Sequence, residues 1–207
     1  MLDEADRMLD MGFVNDIRFI VEELPKERQS LFFSATITPA ISQLIGDFLK
    51  DPIEVSVRTA DTSERVDQDV VFASTKEEKI EKLVEMLQQP EFEKTLVFGE
   101  TKFGVQRLCD YIGNCGIPSV AIHGNKSQSQ RQRALKDFKT NAAQVMVATD
   151  VAARGLDIPS VTHVINFDQP MTYEDYVHRI GRTGRGGAMG KALTFVPDSV
   201  KHQVQAR

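Results

Sequence analysis

Near its start the chain carries three carboxylates in four positions, Asp3-Glu4-Ala5-Asp6. Mg²⁺ prefers one or two carboxylates, with waters and phosphate oxygens completing its shell. Of two adjacent carboxylates, one can face the metal's waters while the other orients an attacking water. An acidic first helical turn would carry the same letters, because negative charge is favoured at a helix N-terminus. A second cluster lies far downstream, His178-Arg179-Ile180-Gly181-Arg182-Thr183-Gly184-Arg185. Arginine offers phosphate a planar, permanently charged donor. Such donors stabilise charge that develops on a transferring phosphoryl group. A solvated basic turn is the plainer reading of the same string. These are two parts of a nucleotide-phosphate site. The third part, a Gly-x-x-x-x-Gly-Lys-Ser/Thr loop, is absent. The nearest string, Gly186 to Ala192, differs in spacing and has no hydroxyl after its lysine.

The elements that must position these groups alternate along the chain. Gln29 to Phe33 reads as a short apolar strand, and Ile53 to Val57 as another. Between them Thr38 caps a helix with Pro39 at its first position, and Ile41, Leu44, Ile45, Phe48 and Leu49 form its apolar face. Residues 58–66 are polar and aperiodic and read as an interdomain linker. Beyond them the pattern predicts strands at 69–73, 94–98, 119–122, 144–148, 162–166 and 190–196. Helices are expected from Thr75, in a capping box closed by Glu78, and at 102–114, 127–139 and 172–180. Short β-rich runs between amphipathic helices predict an α/β fold, a parallel sheet covered on both faces. In such sheets the loops past the carboxyl ends of the strands form the functional edge. Ser34-Ala35-Thr36, Glu100-Thr101-Lys102, His123-Gly124 and Thr149-Asp150 all fall there.

Composition narrows the class. The net charge of −5 argues against a generally basic nucleic-acid binder. Its distribution is uneven: residues 1–57 hold 11 acidic and 5 basic side chains, whereas 121–191 hold 6 acidic and 10 basic. Positive charge gathers where phosphate contacts would be needed. No apolar run approaches the ~20 residues of a membrane span. Cys109 and Cys115 lack zinc or redox spacing. A cytoplasmic, reducing setting without membrane attachment is the expectation.

Four strings in order carry a resemblance: Asp3 to Leu9, Ser34 to Thr36, Thr149 to Asp157, and His178 to Arg185. Together they resemble the DEAD-box ATP-dependent RNA helicases, in details most like bacterial members. The resemblance implies ATP and Mg²⁺ as cofactors and two RecA-like domains. Residues 1–57 would be the carboxyl-terminal part of the first and 67–197 the complete second. Residues 198–207 would begin a C-terminal extension. The chain would then be amino-terminally truncated and inactive by itself as an ATPase.

The resemblance also implies roles. Asp3 would hold Mg²⁺ through water, and Glu4 would position the hydrolytic water. Arg182 and Arg185 would be arginine fingers, and Gly155 and Asp157 would take the nucleotide's ribose side. Asp6, Ser34, Thr36, His178 and Arg179 would couple the domains. Gly124, Arg131 and Thr149 would bind RNA, mainly by its backbone and with little sequence specificity. A backbone N–H, a guanidinium and a hydroxyl are each suited to phosphate. The protein would act as a monomer, with any helper proteins undefined. The alternative is a stand-alone RNA- or protein-binding module without ATP hydrolysis.

Overall fold

The computed structural model describes residues 1–35, 37–56, 65–156, 158, 160–185 and 188–201. The chain divides into two compact units, Met1–Val57 and Arg58–Arg207.

The first unit is built on three helices, α1 (Ala5–Asp10), α2 (Val14–Glu22) and α3 (Pro39–Phe48). Thr38 caps α3 as its sequence requires: its Oγ1 accepts from the Ile41 N–H at 3.3 Å, and Pro39 sits where no donor is needed. Ile41 and Leu44 are buried beneath it. Gln29 to Phe33, expected as a strand, forms a single parallel bridge, Leu2 to Phe32. Its bonds are Leu2 N–H to Leu31 O and Phe33 N–H to Leu2 O, both 2.8 Å. Residues 53–56 take no strand conformation, and Val57 lies outside the described residues. A strand exists only through its ladder partners, and among the described residues this unit supplies none beyond Leu2. Phe19, Ile20, Leu31, Phe33, Ile53 and Val55 are accordingly exposed.

The second unit holds a six-stranded sheet in the order β1-β6-β5-β2-β4-β3, every pairing parallel. The strands are β1 (Val66–Phe72), β2 (Thr95–Phe98), β3 (Ser119–Ile122), β4 (Val145–Ala148), β5 (His163–Asn166) and β6 (Gly190–Val196). The helices are α4 (Lys76–Leu87), α5 (Lys102–Asn114), α6 (Gln128–Lys139), α7 (Asp150–Ala153) and α8 (Tyr173–Ile180). Alternation along each strand makes two apolar layers. Val97, Val147 and Ile165 pack with Leu83, Val105 and Ile112 of α4 and α5. Leu96, Phe98, Met146 and Val164 pack with Phe138 and Ile180 of α6 and α8. Short strands buried on both faces explain the continuous apolar runs.

Two boundaries depart from the sequence reading. The expected linker, 58–66, falls largely outside the described residues, yet Val66 is buried and opens β1 opposite Gly190. The strand expected at 69–73 thus starts earlier, because Val66 packs in the α8 layer. At α4, Thr75 Oγ1 accepts from Glu78 N–H at 3.1 Å, and Glu78 Oε2 accepts from Ser74 N–H at 2.8 Å. The complete capping box belongs to α6, between Ser127 and Gln130. Of the residues expected as a C-terminal extension, Asp198–Val200 form a 3₁₀ turn and 202–207 lie outside the described residues.

Candidate functional site

In the first unit, Asp6 is buried where α1 begins. Its Oδ1 accepts from Arg7 N–H and its Oδ2 from Ala35 N–H, each at 3.0 Å. One carboxylate therefore fixes the Ser34-Ala35 turn to the acidic segment; Thr36 lies outside the described residues. Asp3 is exposed, with Oδ1 accepting from Glu4 N–H at 3.0 Å. Glu4 is half-buried and sits at φ 51°, ψ 47°, in the left-handed region. That conformation costs a side-chain-bearing residue roughly 1–2 kcal/mol. It turns the chain sharply out of the Leu2 bridge into α1. Among the described residues no group of three or more metal-ligating side chains occurs. Asp3 suits an ion held mostly by waters and phosphate oxygens, the habit of Mg²⁺.

In the second unit the sequence-predicted residues collect past the carboxyl ends of β3 and β4 and around α8. Thr149 is half-buried and is the N-cap of α7, but its side chain makes no capping bond. Gly124 is exposed; a Cβ there would meet nothing within 4 Å, and its φ is not positive. Neither packing nor backbone conformation demands glycine at this position. Arg131, on the first turn of α6, reaches the carbonyl of Ala152 at 3.5 Å, so α6 and α7 meet beside Thr149. Gly155 has φ +65° and open space around it, so the turn after α7 itself calls for glycine. Asp157 lies outside the described residues.

Arg179 is engaged within the second unit. It is 3 % exposed and holds Asp150 with two bonds, Nε to Oδ1 at 2.6 Å and Nη2 to Oδ2 at 2.7 Å. Its Nη1 donates to Asn166 Oδ1 at 3.2 Å and to Asp168 O at 2.6 Å, and its Cζ lies 5.0 Å from the centre of the Phe98 ring. The ends of β2, β4 and β5 are thereby tied to α8 by one guanidinium. A second pair runs alongside. Arg154 Nη2 meets Asp175 Oδ1 at 3.1 Å, while Asp175 Oδ2 accepts from the Thr172 hydroxyl at 2.8 Å. Arg182 Nη1 donates to Leu156 O at 3.1 Å. The segment from Thr149 to Leu156 is held to α8 and its following turn at three points. His178 lies half-buried among Asp150, Arg154, Asp175 and Arg182.

The turn carrying Arg182 and Arg185 is anchored by the residue between them. Thr183 is buried, and its hydroxyl reaches the carbonyls of Val161 at 2.5 Å and Thr162 at 3.1 Å. Arg185 is exposed, with Nε donating to Gly181 O at 2.7 Å. Gly184 has φ +70°, and a Cβ there would stand 2.9 Å from Val66 Cγ2. A glycine is needed for both conformation and close approach.

His123 is buried ahead of Gly124. Its Nδ1 accepts from Asn125 N–H at 3.3 Å and its Nε2 meets Gln106 Oε1 at 3.0 Å. That pair of partners specifies a neutral ring protonated at Nε2. Burial first, then the positive charges of Lys126 and Lys102, pushes its pKa below the ordinary histidine value.

Asn166 and Asp175 were not singled out in the sequence, and Asp150 and Thr183 stood within quoted strings without a role of their own. A hydroxyl at 172 followed three positions later by a carboxylate is a capping signal that could have marked Asp175. Nothing local marks Asn166.

Comparison with known proteins follows this geometry. The family described as helicase conserved C-terminal domain matches residues 78–187, and the DEAD/DEAH box helicase family matches residues 1–44. The chain is 47 % identical over 203 residues to the ATP-dependent RNA helicase DBP2 of Scheffersomyces stipitis, covering 96 % of this chain and 38 % of that protein. It is 45 % identical over 209 residues to DBP2 of Saccharomyces cerevisiae, covering 97 % and 38 %. The chain thus spans well under half the length of these relatives. Both are yeast proteins, so the expected likeness to bacterial members gains no support from them. Among solved structures, the chain resembles Escherichia coli DEAD-box protein SrmB bound to regulator of ribonuclease activity A, with TM-score 0.63 and 38 % identity over 68 % of this chain and 82 % of that one. It also resembles S. cerevisiae Dbp5 bound to RNA and ADP BeF3, with TM-score 0.79 and 30 % identity over 99 % of this chain and 55 % of that one. The parallel sheet with helices on both faces is the RecA-like helicase fold of these structures. On the helicase C-terminal match, which covers more than half its length, and on the acidic amino-terminal match beside it, the chain belongs to the DEAD-box RNA helicase family.

Proposed function

We propose that this chain is part of an ATP-dependent RNA helicase. The whole protein would hydrolyse ATP in response to RNA, clamp a single strand by its backbone and separate short duplexes. The observation that carries this reading is the double tie of Thr149–Leu156 to α8, through Asp150–Arg179 and Arg154–Asp175. It supports a second domain in which the RNA-facing hydroxyl of Thr149 and the phosphate-facing Arg182 and Arg185 move as one body. A load on RNA is then felt at the arginines without an intervening flexible joint.

In this reading Asp3 serves Mg²⁺ through water, Glu4 orients the hydrolytic water, and Asp157 with Gly155 serves the ribose side of ATP. Mg²⁺, when bound with the nucleotide, neutralises phosphate charge. Arg182 and Arg185 supply charge to the transferring phosphoryl group, an effect worth ~10³–10⁵ in rate in comparable enzymes. Asp6 fixes the Ser34-Ala35 turn; Asp6, Ser34 and Thr36 with His178 couple the domains, and Arg179 contributes by holding α8 in place. The residues 1–57 form the end of the first RecA-like domain and 67–197, extended to Val66, the second.

Gly124, Arg131 and Thr149 take the RNA backbone. The open space at Gly124 is compatible with this, since it leaves room for a ligand to approach the backbone. The test is the salt dependence of single-stranded RNA binding, wild type against Arg131→Ala. Loss of one phosphate contact lowers affinity and reduces the magnitude of the log–log salt slope by about 0.7. An unchanged slope and affinity would remove Arg131 from the RNA site.

A further inference from the structure

Phe103 is an aromatic side chain that the fold does not use. It stands on the first turn of α5 and is 61 % exposed. Lys102 Nζ lies 5.3 Å from the centre of its ring. On a helix, positions three apart share a face, so Phe103 stands on the same side as Gln106. Gln106 in turn bonds His123, the residue before Gly124. Sheet order places the end of β4, with Thr149, between the ends of β2 and β3. Phe103 therefore stands at the edge of the surface that carries Gly124, Arg131 and Thr149. Lys102 and Lys126 both lie close enough to act on the His123 ring. The surface thus combines several cations with one uncovered aromatic ring.

We infer that Phe103 is a stacking platform for a base of single-stranded RNA, beside the backbone contacts of Gly124, Arg131 and Thr149. The inference rests on the RNA reading above and adds a base contact to it. Every base has a π-face, so a lone aromatic adds affinity without sequence preference. The cation of Lys102 keeps a phosphate near the ring while the base lies over it.

The chain contains no tryptophan, so Phe103→Trp introduces a single indole reporter at the position in question. The 207-residue chain is titrated with a short oligouridylate and with an abasic strand of equal length, following indole fluorescence and the anisotropy of labelled RNA. Base stacking predicts saturable quenching by the oligouridylate and much less by the abasic strand. It also predicts that Phe103→Ala weakens oligouridylate binding roughly 5- to 100-fold with an unchanged salt slope. Arg131→Ala, by contrast, shifts the slope. Equal binding by wild type and Phe103→Ala, or equal quenching by both strands, overturns the stacking role while the backbone reading stands. If the wild-type chain binds neither strand, the RNA reading falls and this inference falls with it.

Discussion

Arg179 meets Asp150 side-on, with Nε and Nη2 each donating to its own carboxylate oxygen at 2.6 and 2.7 Å. The two residues are 29 positions apart, and both are seated at the carboxyl edge of the sheet. Asp150 opens the helix that Thr149 caps, and Arg179 lies in the last turn of the helix that precedes the Arg182–Arg185 turn. The pair ties the start of α7 to the end of α8.

A buried charge left without its partner is strongly destabilising, by about 3–5 kcal/mol. Asp150→Ala strands Arg179, and Arg179→Ala opens a polar void beneath Asn166 and Asp168. Either variant is expected to lower the unfolding free energy of the second unit by an amount in that range, read as a lowered denaturant midpoint. Arg179→Lys keeps the charge but loses the fork and falls between. Midpoints equal to wild type would show that the pair contributes nothing to stability.

Gly190 faces a similarly strict demand. A Cβ there would stand 2.5 Å from the Gly184 nitrogen and closer still to Thr183. Gly190→Ala must push the arginine turn away from β6, at a cost of about 1–3 kcal/mol for overpacking. Thr183→Val removes the bonds to Val161 and Thr162 without crowding. Unfolding curves of the two should separate crowding from lost hydrogen bonds. A fully stable Gly190→Ala would mean the turn can shift freely.

Histidines set an acid limit. His123 and His163 are both held below the ordinary histidine pKa, each chiefly by burial. As pH falls through about 6.5 the unfolded chain takes up protons that the folded unit still refuses. The unfolded state then binds more protons, so this stability is present above that pH and lost below it. Chemical unfolding of His123→Gln and wild type, compared from neutral to mildly acid pH, should show a flatter profile in the variant. Parallel profiles would mean that His123 does not titrate differently on folding.

Phe19, Ile20, Phe33, Ile53 and Val55 of the first unit are all exposed, and exposed apolar side chains favour association where they adjoin. A shorter chain beginning at Arg65 keeps β1 intact and should remain monodisperse at concentrations where the 207-residue chain associates. Light scattering on the two decides it; equal behaviour would show that these side chains are covered in solution.

Legibility in the sequence followed the range of the forces. The helix over 102–114 and the strands over 119–122 and 190–196 were readable to the residue, because caps and apolar period are local signals. The runs at 29–33 and 53–57 look the same locally, but strand formation depends on partners that may stand anywhere in a chain. Thr149, Arg182 and Arg185 stood out only through the strings that carry the family resemblance. Asn166 and Asp175 did not, since their importance comes from facing Arg179 and Arg154 across the fold. Arg179, to which the resemblance gave a part in domain coupling, is buried and makes four hydrogen bonds within the second unit, to partners that nothing local in the sequence marks.

The central claim is that Arg182 acts on ATP and not on folding. The most direct test joins the amino-terminal part of a yeast DBP2 relative ahead of Met1 and measures RNA-stimulated ATP hydrolysis with and without Arg182→Ala. Predicted is RNA-dependent turnover in the parent chimera and a loss of roughly 10³-fold or more in the variant, with RNA binding and unfolding midpoint retained. Turnover undiminished by Arg182→Ala would contradict the assignment of this turn to phosphoryl transfer.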